Sequence, residues 1–183
     1  MGISGASGMP LAQEVLLALR RTDAFEIHLV VSDAALQGLP YESDLRPEAF
    51  YALADQVHPA HQMAASISSG SFPCEGMIVV PCSMKTVAGI ACGYSDNLLL
   101  RAADVTIKEH RPLVLVVREC PLSAIHLENL TKLARLGVWI VPMMMTYYHR
   151  PTTIADMNRQ LTGKILAPFG VQPDGCFCWG ETT

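Results

Sequence analysis

A doubly wound α/β domain, one parallel sheet flanked by helices in the Rossmann or flavodoxin-like manner, is the fold this sequence predicts. Three observations carry the prediction. Short β-branched runs alternate with longer segments of helical period. The runs Met77-Ile78-Val79-Val80 and Leu113-Val114-Leu115-Val116-Val117 do not alternate with polar residues, the pattern of strands covered on both faces. A length of 183 residues fits one domain, since domains run roughly 50 to 250 residues. We expect an α/β domain over residues 1–171 and a Gly/Cys-rich tail over 172–183 that takes its order from a neighbour.

The elements follow in order. A first strand, Gly2 to Ser4, runs into the turn Gly5-Ala6-Ser7-Gly8-Met9 and a helix from Pro10 to Arg20. A second strand spans Glu26 to Val31, and a helix is expected from Arg46 to Ala54. The strand Gly76 to Pro81 leads to helices from Ser83 to Ala91 and from Asp96 to Glu109. Then come a strand from Pro112 to Arg118, a helix from Ser123 to Leu136, a strand from Gly137 to Pro142 and a helix from Thr153 to Ala167. Ser123 is placed to cap its helix, and Gly137 stands where a helix-ending glycine belongs.

Composition excludes several functions. Half the residues are hydrophobic and 16% are charged, against about 25% in typical globular domains, so some apolar surface is expected to meet other subunits. A net charge of −4 without any Lys/Arg-rich run argues against nucleic acid or an anionic membrane as partner. The longest apolar stretches, such as Gly137 to Met145, reach about half the ~20 residues a membrane span needs. No basic segment followed by an apolar one opens the chain, so a cytoplasmic location is expected. The six cysteines include no Cys-x-x-Cys pair, which points to free thiols and to neither a metal site nor a disulfide framework.

Ligands of such a fold bind beyond the carboxyl ends of the strands, and polar residues gather there in the sequence. Gly5-Ala6-Ser7-Gly8 reads equally as a phosphate cradle or as a turn needed for tight packing. It is neither a dinucleotide fingerprint nor a Walker loop. Ser32 follows the second strand, Glu42 comes ten residues later, and Ser83-Met84-Lys85-Thr86 follows the third. Ser32 and Ser83 read individually as helix caps, yet together with Ser7, Lys85 and Thr86 they form a donor-rich rim suited to a flavin. Arg101, Asp104 and Lys108 share one helical stripe, the two cations about 10 Å apart, and alone read as a solvated ion-paired face. Arg118 and Glu119 end a strongly apolar strand, where a charged pair serves a site more often than a surface. Tyr148, near Lys164 on the last helix, suits either an apolar phosphorylated ligand or a subunit contact. His126, in register with Leu130 and Leu133, reads as a core or interface histidine, and His28, His58 and His61 show no ligand spacing.

Pro81-Cys82-Ser83-Met84-Lys85-Thr86-Val87-Ala88-Gly89-Ile90-Ala91, then Asp96-Asn97-Leu98-Leu99, Arg101-Ala102-Ala103-Asp104-Val105, Arg118-Glu119-x-Pro121-Leu122 and His126-Leu127-Glu128-Asn129 together carry a family resemblance. From Gly2 to about Gly170 the chain resembles the UbiX-type flavin prenyltransferases, including the small subunits associated with non-oxidative hydroxyarylic acid decarboxylases. The resemblance implies that Gly5, Ala6, Ser7, Ser32, Ser83, Met84, Lys85, Thr86 and Arg118 contact FMN. It implies that Arg101, Lys108, Tyr148 and Lys164, with Ser69 nearby, hold the phosphate of dimethylallyl monophosphate, and that Ser7, Glu42, Lys108 and Glu119 take part in the chemistry. The implied reaction joins a dimethylallyl group to N5 and C6 of reduced FMN without metal. The prenylated FMN then serves a separate UbiD-type decarboxylase, and the implied assembly is a homododecamer with sites at subunit interfaces. The absence of an Asp-rich magnesium cluster agrees, since Arg and Lys must then neutralise the leaving phosphate directly.

Three departures from the family stand out. The family's first strand has several more residues before the glycine of Gly2-Ile3-Ser4, so a short first strand is expected here. Met145-Thr146-Tyr147-Tyr148 stands where Pro-Ala-Phe-Tyr is usual, and Met63 where an aromatic residue faces the prenyl group. The tail Cys176-Phe177-Cys178-Trp179 matches no family feature.

Overall fold

A computed structural model describes residues 1–178 and 180. Trp179 of the tail therefore lies outside the described residues. The strands are β1 (Gly2–Ile3), β2 (His28–Val31), β3 (Gln56–Pro59), β4 (Met77–Cys82), β5 (Leu113–Val117) and β6 (Trp139–Pro142). They form one sheet in the order β3-β2-β1-β4-β5-β6, every neighbouring pair parallel. The order reverses between β1 and β4, and the crevice at their carboxyl ends is where such a fold takes its ligand.

The helices are α1 (Met9–Thr22), α2 (Asp33–Gly38), α3 (Pro47–Tyr51), α4 (Met84–Cys92), α5 (Leu98–Lys108), α6 (Ala124–Arg135) and α7 (Ile154–Leu166). Every residue of β4 and β5 is buried, as their unbroken apolar runs require. Ile78, Val80, Val114 and Val116 pack against α1 and α7 on one face, while Met77, Val79, Leu113 and Leu115 pack against α4 and α5 on the other. Among the described residues no helix is long and apolar enough to cross a membrane.

The expected helix from Arg46 to Ala54 is confined to α3, and α2 and β3 have no counterpart in the sequence reading. β3 reads Gln-Val-His-Pro, with only His58 buried, because it is an edge strand paired on one side with β2. An edge strand needs no apolar run and tolerates a closing proline, so period and composition did not reveal it. β1 has two residues, but Val30 N–H still donates to Met1 O at 2.9 Å, so its pairing with β2 extends to the first residue. The other edge is apolar and open: α6 buries Leu133 alone, and Ile125, Leu127, Leu136 and Trp139 are all exposed.

Candidate active site

At the carboxyl edge the polar groups are fixed by one another. Ser4, which the sequence reading passed over, donates from both N–H (3.1 Å) and Oγ (3.0 Å) to Pro81 O. Its Oγ in turn accepts from Ser83 N–H at 2.8 Å, joining the ends of β1 and β4. Ser83 Oγ accepts from Thr86 N–H at 3.3 Å and lies 3.1 Å from Thr86 Oγ1. Ser32 Oγ accepts from Ala35 N–H at 3.2 Å. Both serines are therefore helix caps, the ordinary fate of a serine at a strand-to-helix junction.

The turn after β1 is not the open phosphate cradle that it resembled. Gly8, the cap of α1, has no side chain to offer, and Glu42 supplies the anion from 34 residues away. Its Oε2 accepts from Gly8 N–H at 2.7 Å and Met9 N–H at 3.0 Å. A carboxylate already satisfies the positive end of α1, so a phosphate there would meet like charge. The glycines serve packing: a Cβ on Gly5 would lie 2.5 Å from Ala34 Cβ. Gly8 has φ +143°, and a Cβ there would lie 2.9 Å from Met143 Cε. Ser7 stands exposed at the crest of the turn.

Lys85, Arg118 and Glu119 are exposed at the same edge. Arg118 N–H donates to Cys82 O at 3.2 Å, and Glu119 Oε1 accepts from Cys120 N–H at 3.1 Å. No carboxylate among the described residues pairs with the Arg118 guanidinium. The exposed Ser7, the part-buried Ser32 and Ser83, backbone glycine and the Arg118 cation fit an FMN, which needs donors for its ring and a counter-charge for its phosphate. Tyr148, on the connection after β6, is exposed.

Of the cations assigned to the prenyl phosphate, Arg101 lies in the first turn of α5, while Lys108 and Lys164 lie away from the carboxyl edge. α5 starts beside the carboxyl end of β3, where Leu98 N–H donates to Ala60 O at 2.7 Å, and ends at the amino edge before β5. Arg101 Nε donates to Ser68 O at 3.1 Å and its Nη1 to Asp104 Oδ2 at 2.8 Å. Lys108 pairs with Glu109, so the expected Arg101–Asp104 pair forms and an Asp104–Lys108 pair does not. Both Lys108 Nζ and Glu109 Oε1 crowd Gly70, which places Ser69 beside them. Arg111, another residue the sequence reading missed, holds the same loop by donating to Gly70 O at 2.9 Å and Phe72 O at 3.0 Å. Lys164 sits late on α7, across the sheet from α5.

The single chain thus gathers Ser7, Ser32, Glu42, Ser83–Thr86, Arg118 and Glu119 at one edge. It gathers Ser69, Arg101 and Lys108 on the α5 side, and leaves Lys164 on the opposite layer. β5 alone spans roughly 17 Å at 3.3–3.4 Å per residue, so Lys108 at its amino end is far from Glu119 past its carboxyl end.

Other expectations resolve locally. His126 is half-buried and its Nδ1 accepts from Ser123 N–H at 3.2 Å, so it completes a capping box on α6 and is no core histidine. His28 Nδ1 and His58 Nε2 lie 2.9 Å apart across β2 and β3, and burial lowers the His58 pKa. The six cysteines are free, and burial pushes the Cys82 thiol far above its usual value, leaving it inert. No group of three or more His, Cys, Asp or Glu among the described residues could hold a metal ion.

Comparison with known proteins fits this geometry. The flavoprotein family model matches residues 1–166. The flavin prenyltransferase LpdB of Lactiplantibacillus plantarum is 51% identical over 171 residues, covering 93% of this chain and 91% of its own. The crystal structure of a dodecameric FMN-dependent UbiX-like decarboxylase from Escherichia coli O157:H7 is 47% identical with a TM-score of 0.96, covering 98% of this chain and 97% of that one. The structure of AnUbiX (PadA1) in complex with FMN and dimethylallyl pyrophosphate is 45% identical with a TM-score of 0.96, covering 100% of this chain and 96% of that one. With its switch-point crevice, its hydroxyl rim and near-complete coverage on both sides, the chain belongs to the flavoprotein family and, within it, to the UbiX-type flavin prenyltransferases.

Proposed function

We propose that this protein transfers a dimethylallyl group from dimethylallyl monophosphate to reduced FMN, forming bonds at N5 and C6, and that the prenylated FMN serves a UbiD-type hydroxyarylic acid decarboxylase. The observation that carries the reading is the pairing of a fixed carboxyl-edge rim with the Arg101–Lys108 stripe, in a chain about half identical to flavin prenyltransferases. Gly5, Ala6, Ser7, Ser32, Ser83 to Thr86 and Arg118 would hold FMN, the prenyl acceptor. Arg101, Lys108, Tyr148 and Lys164, with Ser69, would hold the prenyl phosphate and neutralise it as the allylic C–O bond breaks.

Closing the new ring at C6 needs a proton delivered to the prenyl double bond as one leaves C6, and Glu119 would carry that exchange, with Ser7 exposed at the same edge. Glu42 would act there too, through the hold on the Ser7 turn that its two hydrogen bonds give it. Because Lys108 lies at the far end of α5 and Lys164 on the opposite layer, one site needs residues from more than one copy. A homododecamer like that of the Escherichia coli relative meets the need, and the apolar strip from Ile125 to Trp139 offers it surface. Six unpaired thiols suit a reducing cytoplasm. We assign residues 1–171 to the flavin-binding domain and 172–183 to a tail.

The test is anaerobic. Protein, reduced FMN and dimethylallyl phosphate are mixed without added metal, and the flavin is weighed by mass spectrometry, with the diphosphate run in parallel. Flavin heavier by one C5 unit supports the reading. Bound but unmodified FMN, with an authentic relative active alongside, overturns it and favours an FMN-binding accessory subunit.

A further inference from the structure

We propose that the tail from Gln172 to Cys178 is a strap that positions Lys164, with Gln160 and Gly163 as the positioning residues on α7. The inference rests on the reading of Lys164 as a phosphate-binding residue. The sequence suggested a tail ordered only by a neighbour, yet through residue 178 it docks on its own chain. Gln160 grips it at both polar atoms: Phe177 N–H donates to Oε1 at 2.7 Å, and Nε2 donates to Phe177 O at 3.0 Å. Beside it, Cys176 Sγ donates to Arg159 O at 3.3 Å and lies over Gly163, about one turn on, where a Cβ would come within 2.9 Å of the sulfur. Gln172 Nε2 donates to Cys178 Sγ at 2.9 Å, which closes the tail on itself.

Residues 160 and 164 are one helical turn apart, so the strap lies along the stripe that carries Lys164. Lys164, Gln160, Gly163, Cys176, Phe177 and Cys178 wall a cavity of about 350 Å³ between helix and tail. A lysine on a surface helix loses much side-chain entropy when it is fixed on a phosphate. Lys164 is itself exposed, but the strap bounds the cavity beside it and narrows the directions its side chain can take, so it loses less of that entropy on binding. The strap should therefore lower the concentration of prenyl phosphate needed and leave flavin binding alone.

Two variants of the full chain test this. Gln160→Leu keeps the bulk and removes both hydrogen bonds. Gly163→Ala displaces Cys176 while improving the helix propensity of α7, so loss of folding cannot explain its effect. Each should raise KM for dimethylallyl phosphate about three- to ten-fold, the size expected for one or two net hydrogen bonds, with kcat and FMN affinity within about two-fold. Combined with Lys164→Gln, neither should add to the loss that Lys164→Gln causes alone. A second readout needs no turnover: acetylation of Lys164, followed by mass spectrometry, should accelerate in both variants. An unchanged KM, multiplicative losses in the double variants or an unchanged acetylation rate overturns the strap. If wild-type protein makes no prenylated flavin but Lys164 acetylation accelerates in the variants, the functional reading fails and the strap stands.

Discussion

The carboxyl edge and the α5 stripe both carry polar residues, but they hold them differently. At the edge, Ser4 and Glu42 bind backbone groups of other elements in buried or part-buried positions, and Ser83 and Thr86 bind each other at the start of α4. On α5, Arg101 and Lys108 are held in half-exposed or exposed ion pairs with residues three and one positions away, and Arg101 alone adds a bond to a distant backbone carbonyl, Ser68 O. Exposed pairs of that kind contribute about 0–1 kcal/mol, so an arriving phosphate can replace them at little cost. The edge is a fixed template, and the stripe is a set of exchangeable cations. A flavin, which must be oriented, suits the first, and a leaving phosphate, which must be neutralised and released, suits the second.

The largest effect should come from Glu119→Gln, which removes a proton acceptor but keeps the shape of the edge. Prenyl transfer should fall by about 100-fold or more, with FMN still bound at wild-type affinity in a fluorescence titration. Next is Lys108→Gln, which should raise KM for dimethylallyl phosphate about ten-fold and leave FMN affinity unchanged. Equal losses in both titrations would break the division between template and cations. Ser4→Ala strands the Ser83 N–H and should cost about 1–3 kcal/mol in denaturant unfolding, because that donor is left without a partner between β1 and β4. A cost no larger than that of an ordinary surface serine would show that the edge is less fixed than its hydrogen bonds imply.

The smallest effect concerns acid. Four hydrogen bonds from Thr152 and Thr153, the Thr153 side chain first, lower the Asp156 carboxyl from 3.8 to about 2. A depressed folded value means that its stabilisation is present above about pH 4 and is lost as pH falls through about 2. Asp156→Asn should flatten that part of the acid-unfolding profile.

Much of the fold was legible because its central strands declare themselves. β4 and β5 are buried on both faces, so their runs are continuous, and Ser83, Asn97, Ser123 and Thr153 cap the helices next to them with their own side chains. β3 was illegible because an edge strand is specified by its partner and needs no pattern of its own. Among the candidate site residues, Ser7, Ser83, Arg118 and Glu119 could be found from strand ends alone. Ser4 and Arg111 could not, since each does its work on a carbonyl distant in sequence: 77 residues away for Ser4, and 39 and 41 for Arg111.

The sequence by itself determined the class of fold, the edge where ligands gather and the family, because apolar runs, caps and short motifs are local and survive in one dimension. Only the tertiary structure decided that Glu42 closes the end of α1, that Lys108 and Lys164 lie away from the carboxyl edge, and that the tail grips α7. Each of these joins groups distant in sequence, and a hydrogen bond depends on distance and angle in space, which no spacing along the chain records.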